Sequence, residues 1–267
     1  MGATALDVPR VIPNPHASSA QPQTTLIEVV NQVAKSVGHP VTVDIATSQD
    51  EAISRLAYYA NIAGMELAYM NPGGWNSLQR KVAIDVFKDY PSQTEKPFDL
   101  PTDFAAMIDD TQWNMNTQLP ALGPINPQSW QAMTVRGDTA NMRFMWRIRN
   151  KALWIKSPPD AANTQTLVFE YLSKYWAVKA SDGSPTDIMK ENGDYHIYPW
   201  QLMVLYTRAK WFENEGFDSS GAQMDFLKAL NYELGADKGA TSLSLVRGSA
   251  FPYIDPIRNV PDSGYGS

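Results

Sequence analysis

Two stretches with apolar residues at helical spacing, 24–71 and 199–235, flank a middle of two-residue alternation, which confines the fold to helices bracketing a β region. Leu26, Val30, Val33 and Val37 form the first helical stripe. It is opened by the capping box Thr25-Leu26-Ile27-Glu28 and stopped by Gly38 and Pro40. A second box, Ser48-Gln49-Asp50-Glu51, opens a longer helix with Ile53, Leu56, Ala57, Ala60, Ala63, Gly64 and Leu67 on one face, ended by Asn71-Pro72-Gly73-Gly74. The small residues near its end leave room for another helix. Leu202, Leu205, Tyr206, Ala209 and Phe212 mark a third helix. A fourth follows a third box, Ser220-Gly221-Ala222-Gln223, with Met224, Leu227, Leu230 and Leu234. The loop Gly216-Phe217-Asp218 folds these two into an antiparallel pair.

Between the helices, Val82 to Phe87 and Lys96 to Leu100 read as a hairpin around the polar loop Pro91-Ser92-Gln93. Asn126 caps a short helix with Pro127 at its first position. Met142 to Arg149 alternates Met142, Phe144, Trp146 and Ile148 against Arg143, Met145, Arg147 and Arg149. Asn150-Lys151 then turns the chain into Ala152 to Lys156, and Pro158-Pro159-Asp160 leads on to Thr166 to Ala177, an antiparallel meander. The expected fold is α+β: a helical bundle of residues 24–71 and 199–235 with an inserted antiparallel β subdomain over about 80–180. Residues 1–23, with four prolines, read as an extended N-terminal arm, ordered only where something holds it. Residues 24–239 read as one domain and 240–267 as a C-terminal docking tail.

Charged residues make up 19% of the chain and hydrophobic ones 43%, which suits a subunit that buries surface against neighbours and equally a compact monomer. The net charge of −6 and pI near 5.1 argue against a free-standing nucleic-acid binder. They are compatible with a conduit through which a duplex slides, since a strongly basic wall would hold it. With no cysteine, disulfides, thiolate metal sites and cysteine nucleophiles are excluded. The first 23 residues lack the pattern of a signal peptide, and no run approaches the roughly 18 apolar residues of a membrane span. A non-membrane protein assembled in a reducing cytoplasm is the expectation.

No residue pattern suggests an enzyme. His16, His39 and His196 are isolated and read as turn or solvent-facing side chains. Asp109-Asp110 precedes Thr111 in a turn and reads as a capping pair. No phosphate loop or nucleophile elbow is present. Arg143, Arg147, Arg149 and Lys151 read as the solvated outer face of a sheet. Tyr171, Tyr175, Trp176, Trp200, Tyr206 and Trp211 read as core or subunit interface.

The stretch Leu100-Pro101-Thr102-Asp103-Phe104, then Ile108-Asp109-Asp110-Thr111-Gln112-Trp113, then Gly123-Pro124 and Gln128-Ser129-Trp130 has no catalytic character. Trp113 and Trp130 read as apolar anchors with one donor each. Taken in order over residues 24–235, however, it resembles the signature of the head-to-tail adaptor, or connector, proteins of tailed bacteriophages. That resemblance implies a non-enzymatic virion protein without cofactors at the head-tail interface. It further implies a ring of about twelve copies, a portal protein above, a tail tube or nozzle protein below, and transient passage of double-stranded DNA. Leu100, Pro101, Asp103, Phe104, Asp109, Asp110, Trp113, Gly123, Pro124 and Trp130 would then be structural markers.

From Ala236 onward no period survives, yet Leu243, Leu245, Val246, Phe251, Tyr253, Ile254 and Ile257 make the tail too apolar for a simple linker, and with Arg258 they are its candidate portal or subunit contacts. Its 28 residues reach roughly 90 Å when extended. The tail reads as a portal or subunit clamp, with Leu243 to Val246 able to add a strand to an exposed portal sheet edge. The rival expectation is an accessory tail or capsid module that recognises carbohydrate or a host surface through its aromatic residues.

Overall fold

The computed structural model describes residues 10–12 (backbone only), 24–71, 73–137 and 143–237. The fold is mixed α+β and its sheets are antiparallel, as the spacing predicts. In chain order the elements begin with strand β1 (Arg10–Ile12), helices α1 (Leu26–Val37) and α2 (Glu51–Met70), and strands β2 (Gln79–Val86), β3 (Glu95–Asp99), β4 (Phe104–Met107), β5 (Trp113–Asn114) and β6 (Leu119–Pro120). Helix α3 (Pro127–Arg136) and strands β7 (Met145–Arg149), β8 (Ala152–Lys156) and β9 (Gln165–Ser173) follow. The short strands β10 (Ala177–Val178), β11 (Pro185–Thr186) and β12 (Tyr195–His196) lead to helices α4 (Trp200–Asn214) and α5 (Ser220–Asp237).

Helices α1, α2 and α4 pack on one another, and α5 packs on α4. Their core is almost entirely apolar: Leu26, Val30 and Val33 of α1 meet Leu56, Ala60 and Leu67 of α2 and Leu202, Met203 and Tyr206 of α4. Glu28 accepts the Thr25 N–H at 2.8 Å, the half of the first capping box that the carboxylate supplies. At α2 the cap lies two residues later than its motif predicts. Asp50, with extended backbone, accepts from Ala52 N–H, and Ser48 instead accepts from Asp50 N–H. The fourth helix moves the other way. Its cap is Ser219, whose hydroxyl receives a hydrogen bond from the Gln223 amide, and its buried side chains are Ala222, Phe226 and Leu230. Met224 and Leu227, expected inside, are 60% and 52% exposed. The small residues of α2 also receive something other than a helix. A Cβ on Gly64 would stand 2.3 Å from the Trp176 indole, which comes from the loop after β9 and stacks on Tyr198.

The β region is two sheets sharing one core. The larger runs β1-β2-β9-β5-β6, with β4 also paired to β9; the smaller runs β3-β8-β7. Val82, Ile84, Leu167 and Phe169 from the first meet Phe98, Trp146, Leu153 and Ile155 from the second. The predicted hairpin between β2 and β3 does not form. The two strands lie in different sheets, β2 against β9 and β3 against β8, because each alternation places its apolar face toward the shared core from opposite sides. The meander likewise breaks after β8, where the chain crosses to make β9 the centre of the larger sheet. The β7–β8 hairpin is as expected, with Asn150 and Lys151 at φ 51° and 59°, the two left-handed positions of a tight hairpin turn. Its first strand begins at Met145; Met142 lies outside the described residues.

Within the N-terminal arm, β1 runs antiparallel to β2 with Val11 opposite Val82. Three short strands, β11-β10-β12, form a small sheet that the spacing did not reveal. No helix among the described residues is long and apolar enough to cross a membrane.

Candidate functional site

The signature residues act first as joinery. Pro101 is buried and its carbonyl accepts the Phe104 N–H, folding the chain into β4. The Asp103 carboxylate, itself buried, accepts hydrogen bonds from the Tyr171 hydroxyl at 2.9 Å and the Ser173 hydroxyl at 2.7 Å, with Arg80 at 3.5 Å. One side chain thereby ties β4 to β9 and to β2. Burial, followed by the neighbouring Asp103 charge, pushes the Tyr171 phenol far above its usual range, so it stays a donor. Phe104 stacks on the Tyr171 ring, and Leu100 packs on the β core. Downstream, Asp109 and Asp110 are exposed, Asp110 at φ 61°. Thr111 bridges across: its hydroxyl donates to the Ile108 carbonyl and accepts the Glu170 N–H.

Trp130 is buried and anchors α3 to the smaller sheet. Its indole N–H donates to Glu95 at 2.6 Å, and the cations of Arg147 and Lys156 lie 5.5 and 5.6 Å from its ring centre. Arg149 lies 3.8 Å from the Trp154 ring centre. Arg147 and Arg149 are therefore half-buried against aromatic rings, Arg147 beneath α3, whereas Lys151 in the turn is exposed as the solvated-face reading expects. Trp113, expected as an anchor, is instead 38% exposed on β5, because that strand lies toward the outer end of its sheet.

The segment from Leu122 to Ile125 runs along the outer edge of β7, exchanging hydrogen bonds with Phe144 and Trp146. A Cβ on Gly123 would meet the Trp146 carbonyl oxygen at 2.5 Å, so only glycine permits this approach. The Gly123–Pro124 peptide is cis. Beside it opens a shallow groove of about 260 Å³, lined by Met107, Asp109, Pro124, Trp146, Arg147 and Ile148 among others. One acid and one base on otherwise apolar walls suit contact with a protein segment better than turnover of a substrate.

A second surface went unnoticed in the sequence. Helix α2 is apolar on two opposite faces. Besides the buried row, Tyr58, Met65 and Tyr69 are 64%, 52% and 68% exposed, with the half-buried Ile62 between them. The signal was legible: positions 58, 62, 65 and 69 keep the four-three-four spacing of a helix-packing seam.

Charge is distributed unevenly. Residues 24–78 and 174–237 hold 8 Lys and Arg against 15 Asp and Glu, whereas residues 79–173 hold 10 of each, so the whole acidic excess lies in the helical half. His39 is half-buried, edge-on to Trp211. His196 is buried, contrary to expectation, since β12 tucks it beneath the small sheet. Its Nδ1 donates to the Tyr198 carbonyl, and burial pulls its pKa down to about 4. Tyr171, Trp176, Tyr206 and Trp211 belong to the cores, while Trp200 is 51% exposed. Among the described residues no three His, Asp or Glu side chains stand close enough to share a metal ion.

His16 and the tail positions Leu243, Leu245, Val246, Phe251, Tyr253, Ile254, Ile257 and Arg258 lie outside the described residues. No protein-family model matches the chain, and no curated protein sequence matches it.

Proposed function

We propose that this chain is a head-to-tail adaptor of a tailed bacteriophage: a non-enzymatic virion protein that forms a ring beneath the portal, joins capsid to tail and extends the DNA channel. The observation that carries the reading is the conversion of its signature into joinery. Asp103 ties three strands, Thr111 bridges to β9, and Trp130 fastens α3. A scaffold fixed by such ties suits a part that transmits force between neighbours.

The charge distribution supports a conduit. An acidic or neutral wall repels or ignores phosphates and lets duplex DNA slide, and the chain carries no basic excess in either half. Assembly is the mechanism: copies pack side by side, the tail beyond residue 239 grips the portal, and the opposite end receives the tail tube or nozzle. The carbohydrate-binding reading has less support. Trp113, Trp200 and Tyr58 stand on three different elements, and none of them lines the groove beside Gly123–Pro124.

Cryo-electron microscopy of virions containing this chain tests the proposal. The expected result is a twelve-fold layer of it between portal and tail. A single copy per particle, or a place at the five-fold positions of the shell, overturns it.

A further inference from the structure

The described residues leave the second apolar face of α2 exposed. Its opposite face already fills the helical core with Ile53, Leu56, Ala60, Ala63 and Leu67. A surface helix ordinarily turns polar residues outward, and one apolar on both faces is covered on both. This helix has 20 residues, is about 30 Å long, and carries only Glu51, Arg55 and Glu66 as charges. The two at the border of the outer seam are held by intrachain partners, Arg55 by Glu51 and Glu215 and Glu66 by Lys210. The seam itself is free of charge, and the acidic excess of the surrounding half disfavours DNA or an anionic lipid surface as its cover.

The four-three-four spacing calls for another helix, and the chain offers one. On α5, Met224 and Leu227 are exposed three residues apart, on a face bordered by the exposed Lys228 and Tyr232. Helix α4 packs against both α2 and α5, so the two apolar faces are distinct surfaces of one helical layer. Two different faces that fit one another make a head-to-tail contact, the kind that closes rings; a two-fold dimer would need only one. Charge adds polarity to the match: beyond the charge-free seam the exposed Glu51, paired within its own chain to Arg55, heads α2, and the exposed Lys228 lies beside the face on α5.

We infer that the α2 seam of one copy seats on the outer face of α5 of a second copy and forms the lateral contact of the ring. The inference rests on the adaptor reading and names that ring's side-to-side surface. With each exposed aromatic offering up to about 150–250 Å², the seam buries on the order of 400 Å². That is about half of the roughly 800 Å² per partner in a stable pair. Two free copies therefore separate readily, while a closed ring, in which every copy makes two such contacts, holds.

The test uses the full-length chain incorporated into particles. Because the native chain has no cysteine, introduced thiols report alone. A chain bearing both Met65→Cys and Leu227→Cys, treated with a short bismaleimide, links into a ladder that extends to the whole ring. Each single variant stays unlinked, because a head-to-tail contact never sets a position opposite itself. Met65→Glu, at an exposed site, leaves thermal unfolding of the free protein unchanged and lowers incorporation at least tenfold. Val135→Glu, at a position 86% exposed on α3, lowers it not at all. Three results overturn the inference: linkage in a single variant, linkage to a different virion protein, or full incorporation of Met65→Glu. If a ring is nevertheless seen, the adaptor reading survives and only this contact falls. If particles contain no ring of this chain, the adaptor reading falls and takes the contact with it.

Discussion

The helical half and the β half are specified by different chemistry. Within the helices themselves Thr207 is the one buried polar side chain among the described residues, the other buried polar groups of that half, Asn71, Thr186, Asp194 and His196, lying at a helix end, in short strands and in a loop. In the β half, Lys96, Asp103, Gln112, Asn114, Lys156 and Ser173 are all buried, and each holds a hydrogen-bond partner: Asp89 for Lys96, Ile108 for Gln112, Gln165 for Asn114 and Thr134 for Lys156. Geometry explains the contrast. A helix satisfies its own backbone, and apolar packing suffices to place it. A strand slipped by one residue turns every side chain to the wrong face, so a sheet gains from polar partners that exist in one register only. The helical half, free of that need, carries the acidic excess and leaves an apolar seam exposed on α2.

Breaking the polar ties of the β half should cost most. Asp103→Ala strips Tyr171 and Ser173 of their acceptor and leaves Arg80 beside an empty site, lowering unfolding free energy by about 3–5 kcal/mol in urea titration. Asp103→Asn, which keeps an acceptor oxygen, should lose about half as much. Hydrogen exchange should show β4 and β9 opening first. A loss under about 1 kcal/mol for the alanine variant would mean that packing alone sets the register.

Acid should attack the other half. Burial holds His196 neutral, with its pKa near 4 in the folded chain against about 6.5 when unfolded. Its stabilisation is complete above the unfolded value and declines as pH falls toward 4, because only the unfolded chain takes up the proton. Between pH 7.5 and 5 the expected loss is roughly 2 kcal/mol, and His196→Gln should flatten that slope. An unchanged slope in the variant assigns the acid sensitivity elsewhere.

Overpacking the helical core comes next. In Gly64→Ala the new methyl meets the Trp176 indole, and the better helix propensity of alanine offsets only part of the clash. A net loss of about 1–2 kcal/mol in thermal unfolding is expected. A gain would show that Trp176 moves aside and that apolar packing here is more forgiving still. The smallest effect is a stabilisation. Lys151→Gly relieves a left-handed position in the β7–β8 turn and should add about 0.5–1 kcal/mol, measured by the same melts.

How much of this was legible follows from the same contrast. Helices announce themselves locally, so α1, α2, α4 and the Asn126 cap of α3 could be read from spacing and cap residues. Strand existence was readable too, but strand partners were not. Nothing near Val82 says that Phe169 will lie opposite it, and proximity in sequence suggested β3 instead. Asp103 could be marked from the signature, yet Tyr171 and Ser173 stand 68 and 70 residues away and leave no local trace. Trp113 and the α5 stripe failed for another reason. Apolar character alone predicts burial, whereas Met224, Leu227 and Trp113 lie on outer surfaces. The α2 seam shows the converse, since its spacing was in plain view and the stronger buried row masked it.

The end of α5 has a mechanical consequence. The carboxylate of Asp237 accepts the Asn76 N–H at 3.1 Å and the Asn71 amide at 3.3 Å, and its own carbonyl receives the Asn76 side chain. Asn71 closes α2 and Asn76 leads into β2, so the last described residue is fastened to the connection between the two halves. Tension on the chain beyond Asp237 is delivered at this joint before it reaches any helix or strand interior. Such a leash loads the molecule where helices and sheets meet, and both halves share the pull.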